Sequence, residues 1–482
     1  MNSQKILFAD NRIQVHVSGR TLAPGFGLLS GQNLENQKMN LNRDLGNGLI
    51  LRRASKDDAE ALADFNGHIH SDEGWDKPNP RVAAWTRDLL ASPHPTLTPG
   101  DFTVVEETAT KRIVSSLNLI PQTWSYEGIE FAVGRPELVG TLPEFRSRGL
   151  VRAQFEEIHK WCEERGYIVQ TITGIPYYYR QFGYEMGLDL GGGRVGFEPL
   201  IPMLKEGEIE PFITRPAEER DIRFLMEVYA HARKRSLITT HRDETIWRYE
   251  LTGKSEDNIN RQAFHIIESA EGEAVGYLAH PSFNWNLGVV AFEYELRPGV
   301  SWLDVTPSVA RYLLATGKEF AKRDGQPLEM RSGVAFWHGT HHPVYEVWRE
   351  RLPRIRASYA WYVRVPDLAG FICRIAPVLE ERLAASYIPG YSGALHLNFY
   401  RNGLKLVFEK GKLKEAALFK PAAGMQTDLG FPDLTFLQLL FGYRSLDELR
   451  AHYADCYAES WEAHFALATL FPKKPSLVTG IV

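Results

Sequence analysis

Cysteine is scarce in this sequence. The chain holds only 3 cysteines among 482 residues, Cys162, Cys373 and Cys456, and their wide separation excludes a local zinc knuckle. A small, odd number of cysteines fits a reducing compartment better than a disulfide framework. We therefore expect a cytoplasmic protein.

Long apolar runs and a strong excess of one charge are also missing. No stretch approaches the roughly 20 uninterrupted apolar residues that cross a membrane, and the opening MNSQKILFADNRIQVHV lacks the basic and apolar regions of a signal peptide. The net charge of −5 argues against a general nucleic-acid binder. We expect neither a membrane nor a nucleic acid as a partner.

The chain is too long for one hydrophobic core, and a repeat indicates how it is divided. A short apolar strand from Leu49 leads into an amphipathic helix with Ser55 as its expected N-cap. A similar passage returns from Phe212. The shared pattern predicts two related domains in tandem; it comprises Arg52, Ala54 and Asp58 in the first copy and Arg215, Ala217 and Asp221 in the second.

The region between the copies contains a misleading motif. Gly191, Gly193 and Gly196 satisfy the G-x-G-x-x-G pattern of dinucleotide-binding proteins, which requires a helix that opens at the glycines. Pro199 and Pro202 are incompatible with such a helix. The glycines therefore indicate turns.

The last section, from residue 371, alternates apolar and polar residues. The stretch GALHLNFYRNGLKLVFEKGKLKEAALF contains Asn402-Gly403, a pair that favours a type I′ turn and a β-hairpin. A third strand is expected after Lys410-Gly411, and helical patterns follow. Antiparallel strands followed by helices predict a small α+β domain.

A basic loop between a strand and a helix is the most informative feature. ELVGTLPEF reads as a strand that ends at Pro143, and a helix with one apolar face begins after Gly149. The unpaired N–H groups at a helix start attract a phosphate, and Arg146, Arg148 and Arg152 add positive charge. On charge alone a solvated arginine loop is the alternative, but the strand–loop–helix context favours an anion site.

These residues carry a resemblance to a known family. LVGTLPEFRSRGLVRAQFEEIHKW resembles the acetyl-coenzyme A (acetyl-CoA) motif R/Q-x-x-G-x-G/A of the GCN5-related N-acetyltransferases, the GNAT superfamily. Arg146 and Gly149 match, whereas Val151 replaces the usual Gly or Ala, as in the enhanced-intracellular-survival (Eis) branch. The resemblance implies an α/β (α+β) chain of tandem GNAT folds and a sterol-carrier-protein-2-like (SCP2-like) domain. The expected ranges are an N-terminal extension at 1–48, an active GNAT domain at 49–200, a degenerate copy at 209–370 and the SCP2-like domain at 371–482.

The resemblance also implies acetyl-CoA as co-substrate and no metal. By position, the backbone around Gly140 would face the pantetheine and acetyl group, and the loop after Arg146 would hold the pyrophosphate. The implied cofactor-binding residues are Val139, Gly140, Thr141, Arg146, Ser147, Arg148, Gly149, Leu150, Val151, Arg152, Gly174 and Ile175.

Two catalytic residues are implied in the same way. GIPYYYRQFGYEMG is similar to the GNAT segment in which a tyrosine precedes a glycine–aromatic pair, which makes Tyr179 the general acid for the coenzyme A thiolate. Tyr177, Tyr178 and Tyr184 are mostly expected in the core. Eis-like enzymes use the C-terminal carboxylate as base, here that of Val482, with a frayed terminus as the alternative.

The implied function is an N-acetyltransferase that moves an acetyl group from acetyl-CoA to a primary amine by direct attack. The acceptor would be aminoglycoside-like, polyamine-like or a protein lysine, with Asp72 facing the amine or simply solvated at the surface. Proteins of this branch form hexamers, so a homo-oligomer is expected. The alternative is a non-catalytic lipid or acyl carrier, or a scaffold, that uses the SCP2-like domain.

One histidine cluster resembles a metal site. His338, His341 and His342 lie close together in the sequence, but no acidic residue or cysteine shows the expected ligand spacing nearby. We interpret the cluster as a structural or surface loop.

Overall fold

The structure, a computed structural model, describes residues 41–91, 93–285, 288–327, 333–422 and 424–480. Most of the expected N-terminal extension, 1–48, lies outside the described residues, and so does Val482. None of the helices that the structure describes is long and apolar enough to cross a membrane.

The first part of the chain builds a mixed sheet with helices on both faces. Ile120 packs in the core beneath the first two helices, whereas Leu117 and Leu119 pack beneath the third. The elements are β1 (Asn42–Gly46), β2 (Leu49–Arg53), α1 (Ala59–Ile69), α2 (Pro80–Leu90), β3 (Phe102–Glu107), β4 (Ile113–Tyr126), β5 (Ile129–Thr141), α3 (Leu150–Glu164), β6 (Val169–Ile172), β7 (Glu185–Leu190) and β8 (Gly193–Phe197).

The second part follows a similar order of elements. A strand and a helix again precede two long antiparallel strands, and a long helix again precedes a short buried strand. The elements are β9 (Phe212–Pro216), α4 (Ile222–Arg233), β10 (Ile238–Thr240), α5 (Glu244–Arg248), β11 (Gln262–Ser269), β12 (Ala274–Pro281), β13 (Gly288–Ala291), β14 (Glu293–Leu296), α6 (Trp302–Arg323), β15 (Gly333–Phe336), α7 (Pro343–Val347), β16 (Arg354–Arg356) and β17 (Tyr359–Arg364).

The repeated sequence pattern forms the same local structure twice. Arg52 donates two hydrogen bonds to the Asp58 carboxylate, at 2.7 and 2.9 Å, and its Nε donates to Glu106. Arg215 donates two hydrogen bonds to the Asp221 carboxylate at the same two distances, and its Nε donates to Glu268. In both copies the motif ties the first strand to the turn before the helix and to the neighbouring strand.

The two parts exchange strands. β17 inserts between β6 and β7 and pairs antiparallel with both, whereas β8 inserts between β15 and β16 and pairs antiparallel with both. Each of these sheets therefore contains a strand from the other half of the repeat. Sheet pairing thus crosses both expected ranges, 49–200 and 209–370.

The exchange explains the glycine-rich motif. Gly191 and Gly192 have φ angles of +57° and +75° and form the turn between β7 and β8. Gly193 begins β8, where a Cβ would lie 2.0 Å from the carbonyl oxygen of Phe336. A strand and not a helix follows the motif, as the prolines predicted, but only Gly191 of the three motif glycines lies in a turn; Gly193 and Gly196 lie in β8.

The third part packs helices against a small sheet. Its apolar side chains share one core with those of the first sheet, including Trp124 and Trp361. The elements are α8 (Leu368–Arg374), α9 (Ala376–Ala384), β18 (Gly393–Asn398), β19 (Gly403–Glu409), β20 (Lys412–Phe419), β21 (Leu429–Gly430), α10 (Phe436–Leu440), α11 (Leu446–His452), β22 (Tyr457–Ala458) and α12 (Trp461–Leu470).

The expected hairpins form, but the type I′ turn was assigned to the wrong pair. Gly403 already pairs with Asn398 as part of β19, so Asn402-Gly403 does not form the tip. Lys410 and Gly411 carry φ angles of +50° and +76°, the two positive values that a type I′ turn requires. Cross-strand register, which the sequence shows only weakly, decides this position.

Candidate active site

A groove opens where β5 and β6 diverge. The two parallel strands pair only at Val133 with Val169 and at Gly134 with Gln170. β5 then continues to Thr141 with no partner strand on that side among the described residues. A ligand can lie along this free strand edge.

A β-bulge marks the middle of this edge. Glu137 pairs with Asn118, and Gly140 pairs with Ser116, so two residues of β5 oppose one residue of β4. Leu138 takes a φ of +51° within the bulge. A bulge bends a strand and changes the direction of its side chains, and here it does so in the wall of the groove.

The groove is part of a cavity of about 950 Å³. Of the implied cofactor-binding residues, Arg148 alone does not line it, and Tyr179 does. Asp72 is exposed in the loop after α1 and does not line it either. The lining includes Val139, Gly140, Thr141, Arg146, Ser147, Gly149, Leu150, Val151, Arg152, Gly174, Ile175 and Tyr179.

The loop before α3 exposes backbone N–H groups to the cavity. Ser147 and Gly149 have φ angles of +61° and +76°, and the first bond of the helix runs from Ala153 N to Gly149 O at 3.0 Å. The preceding N–H groups, from Leu150 to Arg152, have no partner within the helix. A Cβ on Gly149 would meet no atom within 4 Å, so the loop borders open space.

The three arginines of this region point to different partners. Arg152 lines the cavity and donates to Gln181 at 3.0 Å, and Arg146 lines it beside the Thr141 carbonyl oxygen. Arg148 instead donates to the Glu144 carbonyl oxygen at 2.9 Å. The positive charge nearest to the loop N–H groups therefore comes from Arg146 and Arg152.

A buried polar network holds the end of β5 against α3. Ser115 Oγ lies 2.8 Å from Thr141 Oγ1 and 2.7 Å from Gln154 Oε1. Gln154, on the buried side of α3, donates in turn to Thr103. The network keeps the strand edge and the helix start in fixed relation, which a ligand that spans both requires.

Tyr179 closes the other side of the cavity. It is 4% exposed and lies in a 3-10 turn, Tyr178–Phe182, with its ring against Phe155 and Tyr362. A Cβ on Gly174 would lie 3.1 Å from the Tyr179 hydroxyl oxygen, so this glycine makes room for the phenol. Burial raises the pKa of Tyr179, and the negative charge of Glu137 adds to the effect.

The neighbouring tyrosines do not all lie in the core. Tyr184 is fully buried, as expected, but Tyr177 is 72% exposed. Tyr178 lines the cavity. Tyr177 is thus the exception among the three, and its φ of +67° turns the chain just before the 3-10 turn.

Two polar side chains in the cavity wall were not singled out from the sequence. Glu137 accepts hydrogen bonds from buried Arg135 at 2.7 Å and from Thr173 at 3.0 Å. His70, at the end of α1, also lines the cavity. A signal for Glu137 was present, since this carboxylate lies two residues before Val139 in a strand already assigned to the thioester.

The end of the described chain approaches this wall. Leu477 N donates to the Ile238 carbonyl oxygen at 2.8 Å, and Thr479 exchanges hydrogen bonds with Thr240. A Cβ on Gly480 would lie 2.7 Å from Arg135 Nη1. The chain therefore reaches Arg135, the partner of Glu137, two residues before Val482.

Comparison with known families agrees with the first part of the structure. Residues 52–187 match the profile of a family described as "Acetyltransferase (GNAT) domain". The match includes the groove, the loop before α3 and Tyr179. A comparison with curated protein sequences finds no match.

Solved structures resemble nearly the whole chain. A GCN5-related N-acetyltransferase from Kribbella flavida is 16% identical, with 91% of this chain and 98% of that chain covered and a TM-score of 0.57. A protein of unknown function from Enterococcus faecalis V583, described as a probable N-acyltransferase, is 15% identical, with 90% and 99% covered and a TM-score of 0.60. Eis1 from Mycobacterium abscessus is 13% identical, with 89% and 99% covered and a TM-score of 0.53.

At these identities the likeness concerns the fold. The family match assigns a class of chemistry to residues 52–187, because the GNAT fold serves acyl transfer from an acyl-CoA to an amine. Residues 52–187 therefore form an acetyltransferase (GNAT) domain, and the GNAT fold uses acetyl-CoA as co-substrate.

Proposed function

We propose that this protein transfers an acetyl group from acetyl-CoA to a primary amine by direct attack. One observation carries the proposal: a single cavity contains the free N–H groups at the start of α3, the free edge of β5 and the Tyr179 side chain. Acetyl-CoA needs these three features in this order along the cavity, because its pyrophosphate is anionic, its pantetheine is extended and its thioester sulfur must receive a proton. The amine would enter between β5 and the end of α1.

The cofactor would lie along the cavity in one direction. The N–H groups of Leu150, Val151 and Arg152 would bind the pyrophosphate, with added charge from Arg146 and Arg152. The pantetheine would pair with β5 at Val139 to Thr141, opposite Gly174 and Ile175. Ser147 and Arg148 stay in the proposal, Arg148 as a weaker contributor because it does not line the cavity.

Tyr179 would complete the reaction as general acid. The amine nitrogen attacks the thioester carbonyl carbon, the C–S bond breaks, and the sulfur leaves with the electron pair. The Tyr179 phenol then gives its proton to that sulfur. Because burial raises the pKa of Tyr179, the proton is present at neutral pH.

The acceptor is proposed to be a cationic amine of the aminoglycoside, polyamine or protein-lysine class. Asp72 lies two residues after His70, which lines the cavity, and its side chain is exposed. A long acceptor that extends out of the cavity could meet this carboxylate. The roles of Asp72 and of the Val482 carboxylate remain predictions.

We propose that the second part of the chain is an inactive copy. Its long helix, α6, begins after Ser301, whose side chain accepts a hydrogen bond from the Asp304 backbone N–H, and the segment before it lacks the R-x-x-G motif. Trp302, at the helix start, packs against Tyr294 of β14 and against His342. By the order of the elements, this helix start and β14 correspond to the start of α3 and the end of β5, and here aromatic rings pack between them.

The histidine cluster contacts these rings through His342. The rings of His338 and His342 lie 4.2 Å apart, and His341 is exposed. Within the described residues no group of three or more His, Cys, Asp or Glu could hold a metal ion.

The third part is proposed to be SCP2-like, and the chain to be a homo-oligomer. The alternative carrier function requires an apolar cavity for a lipid tail. Leu395, Leu404 and Leu429 are instead fully or almost fully buried in the core shared with the first sheet. The acetyltransferase proposal is therefore favoured.

The proposal is tested by coenzyme A thiol release from acetyl-CoA. The acceptors are a polyamine, an aminoglycoside and a lysine peptide, each at neutral pH. We expect acceptor-dependent thiol release with at least one of them, and loss of acetyl-CoA binding in calorimetry for a Gly149→Asp variant. Absence of both acetyl-CoA binding and thiol release in the unaltered chain would contradict the proposal.

A further inference from the structure

We propose that His70 is the general base that accepts a proton from the attacking amine. The inference rests on the acetyl transfer proposed above and adds a residue to its site. It concerns the part of the cavity wall where the end of α1 meets the bulge of β5.

The packing of α1 brings His70 to the bulge. A Cβ on Gly140 would lie 2.6 Å from Ile69 Cγ2, so the absence of a side chain at Gly140 lets the helix end approach the strand. The next residue, His70, hydrogen-bonds to the backbone of Leu138, the bulge residue. His70 therefore lies beside the part of β5 that would align the thioester.

His70 and Tyr179 approach different faces of β5. Leu138 packs in the core that includes Ile69 of α1, whereas Val139 packs against the core that includes Tyr179. Both line the cavity, and the charge of Glu137 acts on both side chains. α1 carries His70, whereas the turn after β6 carries Tyr179. An acid and a base that approach one strand from two sides match direct transfer, in which the amine and the leaving sulfur need opposite proton movements.

Glu137 is less suited to this role than His70. Its carboxylate accepts from Arg135 at 2.7 Å and from Thr173 at 3.0 Å, and the Arg135 side chain is 7% exposed. Both bonds go to Oε1, and the Arg135 guanidinium compensates the carboxylate charge, which makes Glu137 a weaker base than a neutral imidazole. Glu137 instead stabilises the positive charge that forms on a protonated His70.

The state of the His70 imidazole suits a base. Burial lowers the pKa of His70, while the Glu137 charge and the bond to Leu138 partly oppose the change. The ring is therefore neutral at neutral pH, and the nitrogen that does not donate to Leu138 keeps its lone pair. Glu137 on β5 faces this ring, Arg146 and Arg152 are the cations in the cavity lining, and α2 contributes the uncharged Trp85.

The proton balance closes without a further reactant. His70 takes a proton from the ammonium group of the acceptor and releases it to solvent, and the free amine attacks the carbonyl carbon. The second N–H proton lost on forming the amide balances the proton that Tyr179 gives to the sulfur. The products are the N-acetylated amine, the coenzyme A thiol and one proton.

The experiment measures the pH dependence of kcat/KM from pH 5 to 9, with acetyl-CoA and the best amine from the acceptor series. In the unaltered chain we expect a limb that rises with pH, since protonated His70 is inactive. His70→Gln should lower kcat by about 100-fold or more and remove this limb, with acetyl-CoA affinity unchanged in calorimetry. His68→Gln is the matched control, because His68 lies in α1 two residues before His70, contacts the Trp75 carbonyl oxygen and does not line the cavity.

Two further arms separate His70 from other groups. An acceptor with a different amine pKa should shift the part of the pH profile that follows the titration of the amine. The rise that follows the titration of His70 should stay at the same pH. A chain that lacks residues 481–482 should keep the His70 limb. If the deletion removes the limb and His70→Gln does not, the base is the terminal carboxylate and the inference is wrong.

The outcomes also separate this inference from the proposed function. If the unaltered chain transfers no acetyl group, the proposed function fails; if it does and His70→Gln transfers equally well, only the inference fails. If the His70→Gln variant does not bind acetyl-CoA, its kinetics cannot test the role of His70, and the Glu137→Gln variant is used as the test. Removal of the neighbouring charge should lower the pKa of His70 and move the limb to lower pH, and an unmoved limb contradicts the assignment.

Discussion

The hydroxyl of Tyr362 donates a hydrogen bond to the carbonyl oxygen of Ile175 at 3.1 Å. Tyr362 belongs to β17, almost 190 residues later in the chain, and its ring also packs against Tyr179 with centroids 5.5 Å apart. The exchanged strand therefore holds both the backbone beside the cavity and the proposed acid. In this way the second part of the repeat supports the site of the first.

Tyr362→Phe tests this positioning role. The variant keeps the ring and loses the hydrogen bond, which is worth about 1 kcal/mol of stability. We expect kcat to fall several-fold while the KM for acetyl-CoA changes little, because the Tyr179 turn becomes less well held. Steady-state kinetics measure the effect, and Tyr387→Phe, at a 95% exposed position, is the control.

Tyr179→Phe tests the proposed acid. We expect kcat to fall by about 100-fold or more, with acetyl-CoA affinity in calorimetry nearly unchanged. Because the pKa of Tyr179 is raised by burial, the phenol stays protonated above its usual range. The pH profile of the unaltered chain should therefore show no loss of activity from Tyr179 below about pH 10. Unchanged turnover in the variant would remove this residue from the mechanism.

The arginines near α3 should differ in their contribution to cofactor binding. Arg152 lines the cavity, whereas Arg148 donates to Glu144 and does not. Arg152→Ala should weaken acetyl-CoA binding by about 10-fold, the scale of one charge-assisted hydrogen bond. Arg148→Ala should weaken it less, and calorimetry at two salt concentrations compares them. Equal losses would indicate that Arg148 turns into the cavity when the cofactor binds.

Gly140→Ala tests the contact between α1 and β5. The added methyl group would overlap Ile69 and push the helix end away from the bulge. We expect a loss of about 1–3 kcal/mol in the free energy of unfolding and a lower kcat, because His70 moves with Ile69. Thermal denaturation and thiol release measure the two effects; a stable variant with full turnover would show that the helix position does not matter.

Gly193→Ala tests the strand exchange. Its Cβ would lie 2.0 Å from the Phe336 carbonyl oxygen, and the residue has a φ of +146°. We expect a loss of about 3 kcal/mol or more in the free energy of unfolding. Since β8 leads directly from β7 of the first sheet, the loss should also reduce acetyl-CoA binding. Gly207→Ala is a comparison at a positive φ with open space around it.

The local parts of the site were predictable from the sequence. The strand ending before Pro143, the basic loop and the helix after Gly149 depend on turn chemistry and helix periodicity, which act over a few residues. The repeat around Arg52 and Arg215 was visible for the same reason. Both copies form the same ion-paired turn.

The parts that depend on distant residues were not predictable. Nothing near Tyr179 in the sequence shows that Tyr362 packs against it, and nothing in the ELVGTLPEF segment shows that His70 meets its bulge. The Gly- and Pro-rich region suggested a boundary, yet the strand within it pairs with the other half of the repeat.

The sequence by itself determined the acetyltransferase signature, the basic loop with a helix starting after Gly149, and the turn at Gly191, because each depends on local backbone geometry and on charges that are neighbours in the chain. Only the tertiary structure decided which strands pair, which side chains flank β5 and that Arg148 lies outside the cavity lining. Those outcomes depend on long-range packing and strand register, which many residues determine together and no short segment encodes.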